Sequence, residues 1–261
     1  MKRRPYIRIT GFMDQKEVSA IGDLYPEDSL GHLIMFGFLM SQKTLEGQQN
    51  KYPFKYPPRE SIVNLFSRHA LGMNIIHYNT DNPDGLLLQL FSMVGIYWSG
   101  NCLRGDFDGF QLNISWPQPS VIEKFRNRTN ERKHFTLILQ IGSKALQEVD
   151  NSPSKLADRL KDYEGLVDYL LIDQSGGRGE LLNINKILDY LRAIRDLGIS
   201  EEINLGIAGG LSRRTVPIIG NLMSEFPDIS IDAEGCLRDS NGKLDIIETA
   251  LYFLEALKVY K

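Results

Sequence analysis

Three glycine-bearing segments crowd the last third of the chain: Asp173-Gln174-Ser175-Gly176-Gly177-Arg178-Gly179, Ala208-Gly209-Gly210-Leu211-Ser212 and Asp232-Ala233-Glu234-Gly235. Without a Cβ, glycine reaches positive φ and lets main-chain N–H groups close around an anion. A helix N-terminus just beyond such a turn adds partial positive charge. The combination suits a phosphate, with Gly176, Gly177, Gly209, Gly210 and Gly235 as its cradle; the plainer alternative is that these glycines only make tight turns. Glu234 belongs to the same segment and is its awkward member. A carboxylate beside a phosphate repels it unless it turns away or meets a cation such as Arg178, Arg213 or Arg238.

A second set of residues carries protons or hydrogen bonds. Side chains two apart on a strand share a face, and this parity sorts Arg8 and Thr10 against Ile7 and Ile9, His77 and Asn79 against Ile76 and Tyr78, and Gln111 and Asn113 against Phe110, Leu112 and Ile114. Asp173 and Asp232 end two further β-rich runs. Interior packing with every polar group hydrogen-bonded would account for any one of them. Asp173 argues for more, because a carboxylate in mostly apolar surroundings is costly to desolvate and is retained most readily where its charge or proton is used.

Positioning these residues requires a repeating frame. Short β-rich runs at 6–11, 32–39, 74–79, 109–115, 135–140, 169–174, 203–208 and 229–233 alternate with segments of helical spacing at 15–24, 59–70, 84–98, 120–128, 153–163, 183–197, 213–225 and 244–259. Eight units in 261 residues give about 33 residues each, the size of one βαβ repeat. Such alternation implies a parallel sheet, and the length matches a single closed (β/α)8 TIM barrel, an α/β domain spanning 1–261. A doubly wound open sheet is the runner-up. In a barrel the polar residues late in the strands converge at the C-terminal face, and the long 40–58 stretch becomes an enlarged loop over that face.

Composition narrows the functional classes. Thirty Lys and Arg against 33 Asp and Glu give a net charge of -3, too balanced for nucleic-acid or membrane binding by bulk charge. No stretch approaches a membrane span, and two cysteines, Cys102 and Cys236, fit a reducing cytoplasmic home. No GxGxxG fingerprint follows the first strand and the four histidines lack metal-ligand spacing, so neither a dinucleotide cofactor nor a metal is expected. A phosphorylated small molecule is the expected partner.

The glycine segments and two strands resemble phosphoribosylanthranilate isomerases, which are phosphate-binding barrels. Leu171-Ile172-Asp173 with Gly176-Gly177-Arg178-Gly179 is similar to that family's strand ending in a general-acid Asp followed by a GGTG loop. Gly206-Ile207-Ala208-Gly209-Gly210-Leu211-Ser212 resembles its LAGGL phosphate loop, Ile231-Asp232-Ala233-Glu234-Gly235 its DVSSG segment, and Phe110-Gln111-Leu112-Asn113 its VQLHG strand. The resemblance implies Asp173 as proton donor to a ribose ring oxygen in an aldose–ketose rearrangement. Arg8-Ile9-Thr10-Gly11 places Thr10 where the family has its general-base Cys, so the base would be His77, Asp232 or Glu234. The family's SPR motif has no clean counterpart in Tyr52-Pro53-Phe54-Lys55. Arg8, Asn79, Gln111 and Asn113 are the expected substrate contacts. A barrel that binds a phosphorylated metabolite without catalysis, or a lyase or epimerase on the same scaffold, are the alternatives.

Overall fold

In a computed structural model describing residues 4–25, 31–96, 103, 107–175 and 182–260, all eight β-rich runs form strands. They are β1 Tyr6–Thr10, β2 Leu33–Ser41, β3 Gly72–Asn79, β4 Gly109–Leu112, β5 Thr136–Gly142, β6 Tyr169–Asp173, β7 Asn204–Ala208 and β8 Ser230–Ala233. Each pairs in parallel with its neighbours in sequence, and β1 also pairs with β8, Arg8 lying opposite Asp232. The sheet is therefore closed, and the open doubly wound alternative is excluded.

The helices are α1 Gln15–Gly22, α2 Gln42–Leu45, α3 Arg59–Ile62, α4 Leu86–Met93, α5 Pro119–Thr129, α6 Ser143–Glu148, α7 Pro153–Leu160, α8 Ile184–Asp196, α9 Gly220–Met223 and α10 Ile246–Val259. Local chemistry sets several boundaries. Asp14 and Glu17 form a reciprocal capping box at α1, Ser152 caps α7, and Asn183 and Asp245 cap α8 and α10. Gly198, at φ +80°, follows α8 and turns the chain out of it. The expected 213–225 helix is only a 3₁₀ turn, Val216–Ile219, running into the four-residue α9. Pro217 lacks an amide donor and Gly220 favours the coil, which accounts for the shortening.

Two apolar layers hold the barrel. Outward-facing strand residues such as Phe36, Phe38, Phe110 and Leu139 pack against the helices. The barrel interior contains Tyr6, Met35, Ile75, Ile138, Tyr169 and Leu171. Above this apolar plug, toward the C-terminal strand ends, the inward positions turn polar. At the opposite end, Asp168 accepts from Arg126 Nη2 at 2.6 Å, Leu137 N at 2.7 Å and His134 Nε2 at 3.0 Å, fastening α5 to the sheet.

Candidate active site at the carboxyl end of the barrel

The inward parity of β3, β4, β5 and β6 brings four polar side chains into one row. His77 and Gln111 are register partners across β3 and β4. Gln111 Nε2 lies 3.5 Å from His77 Nδ1 and donates to Gln140 Oε1 at 2.8 Å. Gln140 Nε2 donates to Asp173 Oδ2 at 2.9 Å. The other oxygen of Asp173 accepts from Ser175 N at 3.1 Å and Ser175 Oγ at 2.8 Å. Asp173 is thus an acceptor at both oxygens, 5% exposed, at the end of β6.

A second group faces this row from β1 and β8. Arg8 is fully buried and reaches Asp232 Oδ2 at 3.5 Å, and Thr10 Oγ1 donates to Asp232 Oδ1 at 3.0 Å. Gly37 makes room for them: a Cβ there would lie 2.8 Å from both Nε and Nη2 of Arg8. All three guanidinium nitrogens lack a hydrogen bond among the described residues, and the ion pair with Asp232 offsets their burial. Burial, with the positive charges of Arg8 and Arg238, holds the His77 imidazole well below its ordinary pKa and keeps it neutral.

After β8, Glu234 meets Arg238 Nη2 at 3.2 Å and Lys55 Nζ at 3.8 Å. Burial pushes its carboxyl above the usual range, against the pull of those two cations. Of the cations named for it from sequence, Arg238 fills the role. Arg213 is instead 3.2 Å from Glu248, and Arg178 lies outside the described residues. The loop expected over 40–58 is cut back to 46–58, because β2 runs on to Ser41 and Gln42–Leu45 is helical; Lys55 belongs to it, and it also seats Phe54 against Gly242 beyond β8, where a Cβ would stand 2.5 Å from the ring. The loop therefore reaches over the end of β1 to the segment after β8, on the face where its position after β2 puts it.

One pocket gathers His77, Gln111, Gln140, Asp173, Asp232 and Glu234 with Gly209, Gly210 and Gly235, enclosing about 30 Å³. Gly209 and Gly210 adopt φ of +120° and +59°, so only glycine fits this turn without strain. Gly209 packs against Ser175, which brings the loops after β6 and β7 together. Gly176 and Gly177 lie outside the described residues. Arg8 and Thr10 lie among the interior strand positions, off the pocket wall. Asn79 faces a separate cavity beside Tyr56, its Oδ1 3.5 Å from the Tyr56 hydroxyl. Asn113 follows the end of β4, exposed, and lines another cavity shared with Gln140.

Gln140, Ser175 and Cys236 are pocket residues that sequence reasoning did not single out. Gln140 carried the available signal, being late in β5 with the inward parity of Ile138. Burial raises the Cys236 thiol pKa.

The arrangement is a (β/α)8 barrel with a polar, carboxylate-bearing pocket at the C-terminal strand ends. No family model matches the sequence, and no curated protein is similar to it at a significant level. Among solved structures it is similar to phosphoribosyl anthranilate isomerase from Thermus thermophilus, with 13% identity, 99% of both chains covered and a TM-score of 0.58. The same enzyme from Thermotoga maritima is 15% identical, covering 99% of this chain and 100% of its own at a TM-score of 0.57. Tryptophan synthase subunit alpha from Legionella pneumophila str. Paris is 11% identical over 98% and 92% of the two chains, at 0.60. These likenesses establish the fold.

Proposed function

We propose that this barrel binds a phosphorylated sugar derivative at its C-terminal mouth and isomerises it by acid–base proton transfer of the Amadori or a related aldose–ketose type. The observation that carries the reading is the convergence, in one pocket, of His77, Asp173, Asp232 and Glu234 with the glycine turns at Gly209, Gly210 and Gly235. The phosphate would take main-chain amides of the turns after β7 and β8. Glu234 does not oppose this, because Arg238 and Lys55 offset its charge.

In the rearrangement Asp173, in its protonated form, gives a proton to the sugar ring oxygen as the ring C–O bond breaks. The base takes the proton from the adjacent carbon, and His77 is the best placed, a neutral imidazole on the same pocket wall. The pair ends as carboxylate and imidazolium, and exchange with solvent resets both. Thr10 holds Asp232 through its hydroxyl rather than acting on substrate.

Two measurements test the proposal together. Ribose 5-phosphate and related sugar phosphates at 100 times their Kd should stabilise the fold by about 2.7 kcal/mol, seen as a rise in melting temperature. The gene should also restore growth to a tryptophan auxotroph lacking the isomerase, and Asp173→Asn should abolish that growth. Stabilisation without growth would favour the non-catalytic binding alternative or a different substrate, and absence of both would refute the proposal.

A further inference from the structure

The row Asp173, Gln140, Gln111, His77 has a direction. Asp173 accepts, so Gln140 must turn its amide nitrogen toward it and its oxygen toward Gln111. Gln111 then presents its nitrogen to both neighbours, donating one N–H to Gln140 and aiming the other at His77 Nδ1. An imidazole that accepts at Nδ1 carries its proton on Nε2, the nitrogen left for the pocket. In this sense of the chain His77 is a donor toward the pocket and cannot take a proton there.

This direction has a cost: Gln111 Oε1 is buried without a hydrogen-bond partner among the described residues. Turning both amides over gives that oxygen two donors and puts the Gln111 amide nitrogen in the orphaned place, so the reversed sense is held only when Asp173 itself donates. A protonated Asp173 donates to Gln140 Oε1, Gln140 Nε2 donates to Gln111 Oε1, and the same oxygen accepts from Nδ1–H of His77. Every side chain in the row keeps its position, all four being at most 6% exposed and confined by their strands. Only the amide planes rotate. The reversed chain leaves the lone pair of His77 Nε2 facing the pocket.

We propose that the two glutamines form a reversible positioning relay that couples the protonation of Asp173 to the tautomer of His77, so that the acid-competent carboxyl and the base-competent imidazole occur in the same state. The inference rests on reading this pocket as an acid–base site, and it deepens that reading by assigning Gln111 and Gln140 a role. The two states differ by one proton, taken up from solvent at Asp173. The imidazole keeps one proton throughout, lost at one nitrogen and gained at the other by exchange with solvent, and no proton travels through an amide. The other charged groups around the row are Arg8 and Asp232 from β1 and β8, Glu234 and Arg238 from the segment after β8, and Lys55 beside Glu234; Glu234, whose carboxyl is raised by burial, is the neighbour that also titrates, and the Asp173→Asn comparison at pH 7 does not depend on it.

The test needs no substrate, so it separates failure of the relay from failure of the isomerase reading. The His77 tautomer is read from ring ¹⁵N shifts and ¹⁵N–¹H couplings in the ¹⁵N-labelled full chain at pH 7. The wild type should carry its proton on Nε2. Asp173→Asn puts an amide that can both donate and accept where the protonated acid would be, and should move the His77 proton to Nδ1. In the Gln140→Met background, where the row is cut, Asp173→Asn should leave the tautomer unchanged. A tautomer indifferent to Asp173→Asn, or shifted equally with Gln140→Met present, overturns the proposal. Should Gln140→Met fail to fold, Gln111→Met cuts the same row one residue further on. The wild type titrated with acid gives an independent reading: the Nε2 to Nδ1 transfer must track the protonation of Asp173.

Discussion

The pair Arg8 and Asp232 is where the interior of this barrel is most exposed to a single change. Arg8 is 0% exposed, none of its three guanidinium nitrogens makes a hydrogen bond among the described residues, and Asp232 at 3.5 Å is its ion-pair partner there. Asp232→Asn keeps the shape and an acceptor for Thr10 but leaves the guanidinium uncompensated. Removing one member of a buried pair costs about 3–5 kcal/mol. The long separation argues for the lower end, about 3 kcal/mol, which for a domain of this size lowers the melting temperature by about 6–12 °C. Urea denaturation of the two proteins measures it, with an unchanged m-value as the control for two-state behaviour. Arg8→Met with Asp232→Leu should recover most of the loss, because a charge-free interior no longer needs a counter-ion. A loss below about 1 kcal/mol for Asp232→Asn, or a double variant no better than the single, would refute the account of Arg8.

Three further outcomes follow from the same geometry. Gly37→Ala sets a Cβ against Arg8 and the Thr10 hydroxyl, and should cost about 1–3 kcal/mol in denaturant titrations, as overpacking does. His77 has its pKa depressed in the fold by burial and by Arg8 and Arg238, so its contribution to stability is complete above about pH 6.5 and is lost as pH falls below that value. The wild type should lose up to about 1.4 kcal/mol per pH unit in that window relative to His77→Gln. Asp168→Ala takes a shared acceptor from Arg126, His134 and the Leu137 amide, leaving Arg126 only the Leu166 and Phe135 carbonyls and no counter-ion; it should destabilise by about 3 kcal/mol while leaving sugar-phosphate affinity unchanged, since it acts at the other end of the barrel.

Much of this architecture is legible in the residues themselves. Alternation within each run predicts that Arg8, Thr10, His77, Gln111 and Asp232 point inward, and they do. Parity assigns a face but not depth: Asn113 lies one residue past β4, its amide still donating to Tyr78 O at 2.9 Å, but at the open rim its side chain is exposed. Asn79 is on the correct face yet stands at the last residue of β3, where the 46–58 loop supplies Tyr56 as its neighbour. Gln140 was hidden by sitting at the end of an aliphatic run, where it looks like a strand boundary rather than the link between Asp173 and Gln111. The pairing of Glu234 with Lys55 joins residues 179 positions apart in sequence through a loop, and no local pattern encodes it.

The most direct test of the central claim is a crystal structure of the protein with ribose 5-phosphate. The phosphoryl oxygens should accept hydrogen bonds from the main-chain amides of Gly209, Gly210 and Gly235, with the sugar ring directed toward Asp173 and His77. A phosphate seated elsewhere on the molecule, or a sugar turned away from Asp173, would contradict it.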